Sequence, residues 1–153
     1  MKTECLREHQ IRARMVALWD IKGTEMAITP VRELVAAARA EIETLDIEAA
    51  KAGIAGGDVM LIDIRDIREL DREGRVPGAY HAPRGMLEFW FDPSSPYFKE
   101  KLAGPEKKVL FCASAWRSAL AAKTLQDMGV ANVADLKGGF TAWRDAGEAV
   151  EKT

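Results

Sequence analysis

The stretch KKVLFCASAWRSALAAKTL, Lys107–Leu125, decides the fold. An apolar run, Val109–Phe111, leads straight into Cys112. A short loop follows, and an alanine-rich pattern of helical character begins near Arg117. That order reads as a buried strand, a loop and a helix. In open parallel sheets the working crevice lies beyond the carboxyl ends of the strands, and Cys112 falls at such an end. The thiol there is either a nucleophile or a small core residue, since free cysteine packs as a hydrophobe.

The loop favours the nucleophile. Ala113, Ser114, Ala115 and Trp116 join strand to helix, so their backbone N–H groups can turn inward as an anion-binding nest. The helix start at Arg117 and Ser118 adds unpaired donors and the positive end of the helix dipole. Such a cradle favours an anion, whether the thiolate of Cys112 or a persulfide anion carrying a second sulfur. The thiolate is the reactive form of cysteine. Arg117 buttresses the loop or adds positive charge. Trp116 either walls the pocket or packs on a neighbouring surface.

Outward from this unit, strands and helices alternate. Thr29-Pro30 signals a helix start, and Val31, Leu34, Val35, Ala38 and Ile42 keep helical spacing. A short strand near Glu43–Leu45 precedes a helix capped by Asp46 and stopped at Gly56-Gly57. DVMLIDI, 58–64, reads as a buried strand. A charged segment then runs to the Pro77-Gly78 turn and the short strand AYHAP. A structured aromatic loop holds a helical turn near Met86–Phe91. After the helix closed by Gly129, ANVADLKGG is a strand and turn, and FTAWRDAG a last helix. The pattern predicts an α/β domain with a central, mostly parallel five-stranded sheet and helices on both faces. Residues 30–150 read as that domain. Residues 1–29 read as an extension, helical or disordered, in which Ile11, Met15 and Leu18 keep a three-four spacing.

The 153 residues suit one domain, and 48% apolar with 30% charged residues is a globular composition. A net charge of −2 with mixed signs gives no sign of a nucleic-acid surface. Cys5 and Cys112 form no disulfide framework, and two histidines without close spacing to them argue against a zinc site. No run is long enough to span a membrane. A cytoplasmic location is the expectation.

Three motifs together resemble the rhodanese-like sulfurtransferase family, over roughly Leu45 to Val150. They are DVMLIDIRDIRELDREGRVPGAYHAPRG, CASAWRSALAAKTLQDMG and VADLKGGFTAWRDAG. The resemblance implies a single-domain sulfurtransferase without cofactor or metal. Its loop cysteine, Cys112, carries sulfane sulfur from a small donor such as thiosulfate to a thiol or protein cysteine. It also implies that Asp63 and Arg65 brace the site and that Arg75 fixes the Val-Pro-Gly-Ala turn; Glu69 stands where the family often has an acidic residue, and by itself reads as a solvated helix charge. Arg84, after a short strand, is placed either at the crevice rim as a second anion contact or on the surface. His81 is a packed or surface residue. Four residues separate Cys112 from Arg117, whereas the related cell-cycle cysteine phosphatases have five, so the loop suits sulfur better than phosphate. Ala115 stands where many relatives have glycine, so the loop either avoids left-handed backbone or is strained there. The competing reading is a non-enzymatic partner-binding or redox-sensing module. The oligomeric state is left open.

Overall fold

The computed structural model describes residues 27–152. The chain divides into two compact units, Met1–Val31 and Arg32–Thr153. In the first, the described residues 27–30 have no regular structure, and Val31 begins a helix. The spacing at Ile11, Met15 and Leu18, and Cys5 with it, lie outside the described residues.

The second unit alternates as predicted. Helix α1 spans Val31–Glu41, strand β1 Glu43–Leu45, and α2 Ile47–Ala55. Then come β2 (Val59–Asp63), α3 (Ile67–Glu73) and β3 (Tyr80–His81). A 3-10 turn at Arg84–Met86 leads into α4 (Leu87–Phe91), and a second at Glu100–Ala103 precedes β4 (Lys107–Phe111). The chain closes with α5 (Trp116–Met128), β5 (Val133–Leu136) and α6 (Gly139–Asp145). The five strands form one sheet in the order β1-β5-β4-β2-β3. Every pairing is parallel.

Alternation along the strands sends side chains to opposite faces. Ile62, Leu110 and Cys112 join one core with Leu87 of α4 and Ala121, Ala122 and Leu125 of α5. Leu61, Val109, Phe111, Ala134 and Leu136 join the other with Ala50 of α2 and Phe140 and Trp143 of α6. The sheet is therefore covered on both faces, which is why β2 and β4 read as continuous apolar runs.

Asp46 caps α2, accepting from the Ala49 amide at 2.7 Å. Helix α3 falls in the charged segment, where only the reading of Glu69 as a helix charge anticipates it. It carries one buried side chain, Leu70, so it lacks the apolar stripe that marks a helix in sequence. It is held at its start by a capping box: Asp66 accepts from the Arg68 amide at 2.9 Å, and Glu69 returns to the Asp66 amide at 3.0 Å. The aromatic loop is split. Phe91 is buried and Trp90 half-buried, while Phe89 and Tyr97 stand exposed, edge to face at 6.3 Å.

Candidate active site

Cys112 lies at the carboxyl end of the central strand β4, flanked by the ends of β2 and β5. Asp63 pairs with Phe111 across one ladder and Asp135 with Leu110 across the other. The thiol is free and 1% exposed. Its Sγ is 3.8 Å from the Ser118 hydroxyl, itself fully buried on the first turn of α5. The carbonyl of Cys112 accepts from the Phe140 amide at 2.8 Å, and that of Ala113 from Thr141 at 3.0 Å. Gly138 and Gly139, at φ +73° and +62°, make the turn that brings these amides onto the loop.

The loop's own amides are spare. Among the described residues, no protein acceptor takes a hydrogen bond from the N–H groups of Ala113 through Ser118. Three of these belong to the first turn of α5, where a helix leaves its donors unpaired. Ala115 settles the question raised by its sequence position: it is left-handed, at φ 67° and ψ 12°, and buried. The loop is strained there, since an alanine Cβ is unfavourable in that region. Ser114 is exposed, and Trp116 stands out from the loop at 45% exposed.

Arg117 is anchored from outside the loop while staying near Cys112. Its two terminal nitrogens grip Glu69 of α3 at 2.8 and 2.9 Å. Glu69 is thus an ion-pair partner of the loop rather than the solvated charge expected from sequence. The Arg117 guanidinium holds the Glu69 carboxyl down at about 2. Arg117 is held strongly protonated, chiefly by Glu69 and to a smaller extent by nearby Cys112. A carboxyl whose folded value is depressed stabilises the fold above its unfolded value, about 4.3, and loses that contribution as pH falls through about 2. Glu69→Gln is therefore expected to lower stability at neutral pH by on the order of 1 kcal/mol, because solvent screens a pair with a half-exposed arginine. Urea unfolding at a series of pH values should show variant and parent converging toward pH 2. A gap that stays constant with pH would mean that the pair contributes nothing.

Asp63 and Arg65, which the resemblance sets beside the site, form a buried ion pair. Both side chains are buried, at 2% and 0% exposed. Arg65 Nε and Nη2 reach Asp63 Oδ1 and Oδ2 at 3.0 and 2.8 Å, and Nη2 also donates to the Gly74 carbonyl at 2.9 Å. Its guanidinium lies 3.9 Å over the Phe140 ring. His81 is a packed residue, with Nε2 2.8 Å from the Arg65 carbonyl. Arg75 bridges to Glu151 through its backbone. Arg84 holds its amide to the Ile64 carbonyl at 3.1 Å, beside the end of β2, but its guanidinium is engaged by Glu88 at 2.7 Å.

Two residues near the loop were not among the sequence candidates. Arg39 of α1 donates through Nη2 to the Ala115 carbonyl at 3.2 Å. Asp135, 1% exposed, accepts from the Thr44 hydroxyl at 2.7 Å, while its Oδ2 has no partner among the described residues. Burial pushes the Asp135 carboxyl up, opposed by the Thr44 hydrogen bond and the charge of Arg39. These two residues, with Ser114 and Ala115, line a cleft of about 660 Å³ on the β1–β5 flank of the loop. A lone acid inside the apolar strand VADL is a signal that could have marked Asp135. Arg39 carries none, because its spacing places it only on a helix.

The fold and site define a parallel α/β domain built around a strand-end cysteine loop. The family model of the Rhodanese-like domain matches residues 46–146, and the chain belongs to that family. A structure from Rhodopseudomonas palustris, of a protein of unknown function and possible tyrosine phosphatase, is 48% identical with a TM-score of 0.77, over 82% of this chain and 97% of that one. The polysulfide-sulfur transferase homodimer of Wolinella succinogenes is 30% identical with a TM-score of 0.60, over 80% and 87%. A sulfurtransferase of Allochromatium vinosum is 28% identical over 67% of this chain and 88% of that one. No helix among the described residues is long and apolar enough to cross a membrane.

Proposed function

We propose that the protein is a sulfurtransferase that carries sulfane sulfur on Cys112 as a persulfide. The observation that carries this reading is the strand-end thiol joined to a loop whose amides, Ala113 to Ser118, have no protein acceptor among the described residues. Spare donors beside a buried sulfur stabilise an anion there. Sulfurtransferases among the relatives support it.

The chemistry needs no cofactor. The Cys112 thiolate, its proton given to solvent, attacks the outer sulfur of a donor. The bond from that sulfur to the rest of the donor breaks, and the remainder leaves with the electron pair, as sulfite from thiosulfate or as a thiolate from a hydropersulfide. An acceptor thiolate then attacks the outer persulfide sulfur and restores the Cys112 thiolate. The terminal sulfur's negative charge falls where the loop amides are.

The engagement of Arg117 bears on the cargo. A phosphate dianion would need the planar fork that Glu69 already occupies. Arg84 is likewise held by Glu88. Paired in this way, these two arginines add little attraction for a dianion, and a monoanionic hydropersulfide should load faster than thiosulfate. The test is intact mass after donor treatment. Wild type should gain one sulfur that Cys112→Ser does not, and cyanide or a thiol should remove it. A wild type that takes up no such sulfur, or that instead hydrolyses an aryl phosphate through Cys112, would sink the proposal.

A further inference from the structure

We infer that α1, which lies outside the matched residues 46–146, is a working part of the site, with Arg39 as a positioning residue for the sulfur cradle. The inference rests on the sulfurtransferase reading for its activity arm only.

The argument starts from Ala115. It is left-handed and buried, and its Cβ makes that conformation unfavourable where glycine would adopt it freely. Strain of this kind persists only when its surroundings over-determine it. The structure shows a direct tether: the charged Arg39 guanidinium donates to the Ala115 carbonyl at 3.2 Å. Charge-assisted hydrogen bonds are the strong ones.

The tether sets the direction of a donor. The carbonyl of Ala115 and the N–H of Trp116 share one planar trans peptide, so they point opposite ways. Holding the carbonyl on the α1 side turns the Trp116 N–H to the other side, and that N–H is one of the loop's spare donors. If Ala115 relaxed to a common backbone region, this peptide plane would rotate and the donor would leave its place.

Helix α1 is built to hold Arg39 there. Val35 and Ala38 pack on Ala119 of α5, with Ile42 and Leu120 at the edges. Further along, Gln126 donates to the Glu41 carbonyl at 3.1 Å, and Lys123 pairs with Glu41 at 2.9 Å. The helix that carries Arg39 is thus fixed along the helix whose first turn it steers.

The test is a double-mutant cycle in the full chain. Arg39→Met keeps an apolar stem and removes the donor. It should slow sulfur loading of Cys112 by about tenfold, in kcat rather than KM. In the Ala115→Gly background, where the left-handed state needs no tether, Arg39→Met should cost less than about twofold. Arg39→Lys, still a cationic donor, should keep most of the rate. A second arm reads the loop itself by amide NMR. The Trp116 resonance should shift or split in Arg39→Met and return to a single line in the double variant. A Trp116 amide unmoved by Arg39→Met, or a loading defect that Ala115→Gly fails to repair, would overturn the inference. If wild-type Cys112 takes up no sulfur at all, the sulfurtransferase reading fails, and the NMR arm still decides the role of Arg39.

Discussion

Replacing Arg65 by methionine is expected to destabilise the protein by about 3–5 kcal/mol, because it strands a buried charge. Asp63 is 2% exposed and Arg65 supplies both nitrogens of a bidentate grip on it. Without them Asp63 keeps the Arg65 backbone amide, at 3.0 Å, and the Gly74 carbonyl loses a donor. Methionine fills much of the volume over Phe140, so the loss is electrostatic more than steric. A small domain holds only about 5–15 kcal/mol in all, so this one change removes a large share of it. The double variant Asp63→Leu/Arg65→Met should regain part of the loss, since a buried pair replaced by apolar groups is often neutral. Recovery stays incomplete because the Arg65 amide then lacks its acceptor. Urea unfolding measures both. A single variant within about 1 kcal/mol of wild type would show that Asp63 is not held by Arg65.

What the sequence made legible follows from which forces act locally. The order of strands and helices could be read because burial on both faces writes apolar runs at VMLID and KKVLF, and because glycines and Asp46 punctuate the helices. Cys112 was legible for the same reason: a strand end, a loop and a helix start are all local. Helix α3 was scarcely so, because its stability comes from caps at Asp66 and Glu69 and one buried leucine, Leu70. The partner of Arg117 was not legible either. Glu69 lies 48 positions away in the chain, and only the β2–α3 connection brings it across. Arg39 and Asp135 are of that same kind, polar groups whose roles exist only once α1, β5 and the loop meet. The left-handed state of Ala115 could be posed from sequence as one of two alternatives. Deciding between them needed the backbone itself. Residues that create an element announce themselves through pattern; residues that adjust an element made by others do so only through contact.

Gly139→Ala is expected to be the most damaging substitution of a single methyl group in the site, costing more than about 3 kcal/mol and abolishing sulfur loading. Two effects add. The residue is at φ +62°, where an alanine Cβ alone costs about 1–2 kcal/mol. That Cβ would also fall 2.5 Å from the Cys112 carbonyl oxygen and 2.9 Å from that of Ala113, both backbone atoms with no flexible end to move aside. The displaced groups are the ones that the loop depends on. The Phe140 and Thr141 amides bind those two carbonyls at 2.8 and 3.0 Å, so relief of the clash by moving α6 breaks both bonds. Relief by moving the loop turns the peptide planes that present the spare amides. Gly57→Ala separates the two effects. Gly57 has φ +77° and nothing within 4 Å of the position its Cβ would take, so it should show the conformational cost of about 1 kcal/mol and leave sulfur loading intact. Urea midpoints and intact mass after donor treatment read the pair. Equal stability losses at the two positions would mean that the close approach of the Gly138-Gly139 turn to the Cys112 loop does not hold the site.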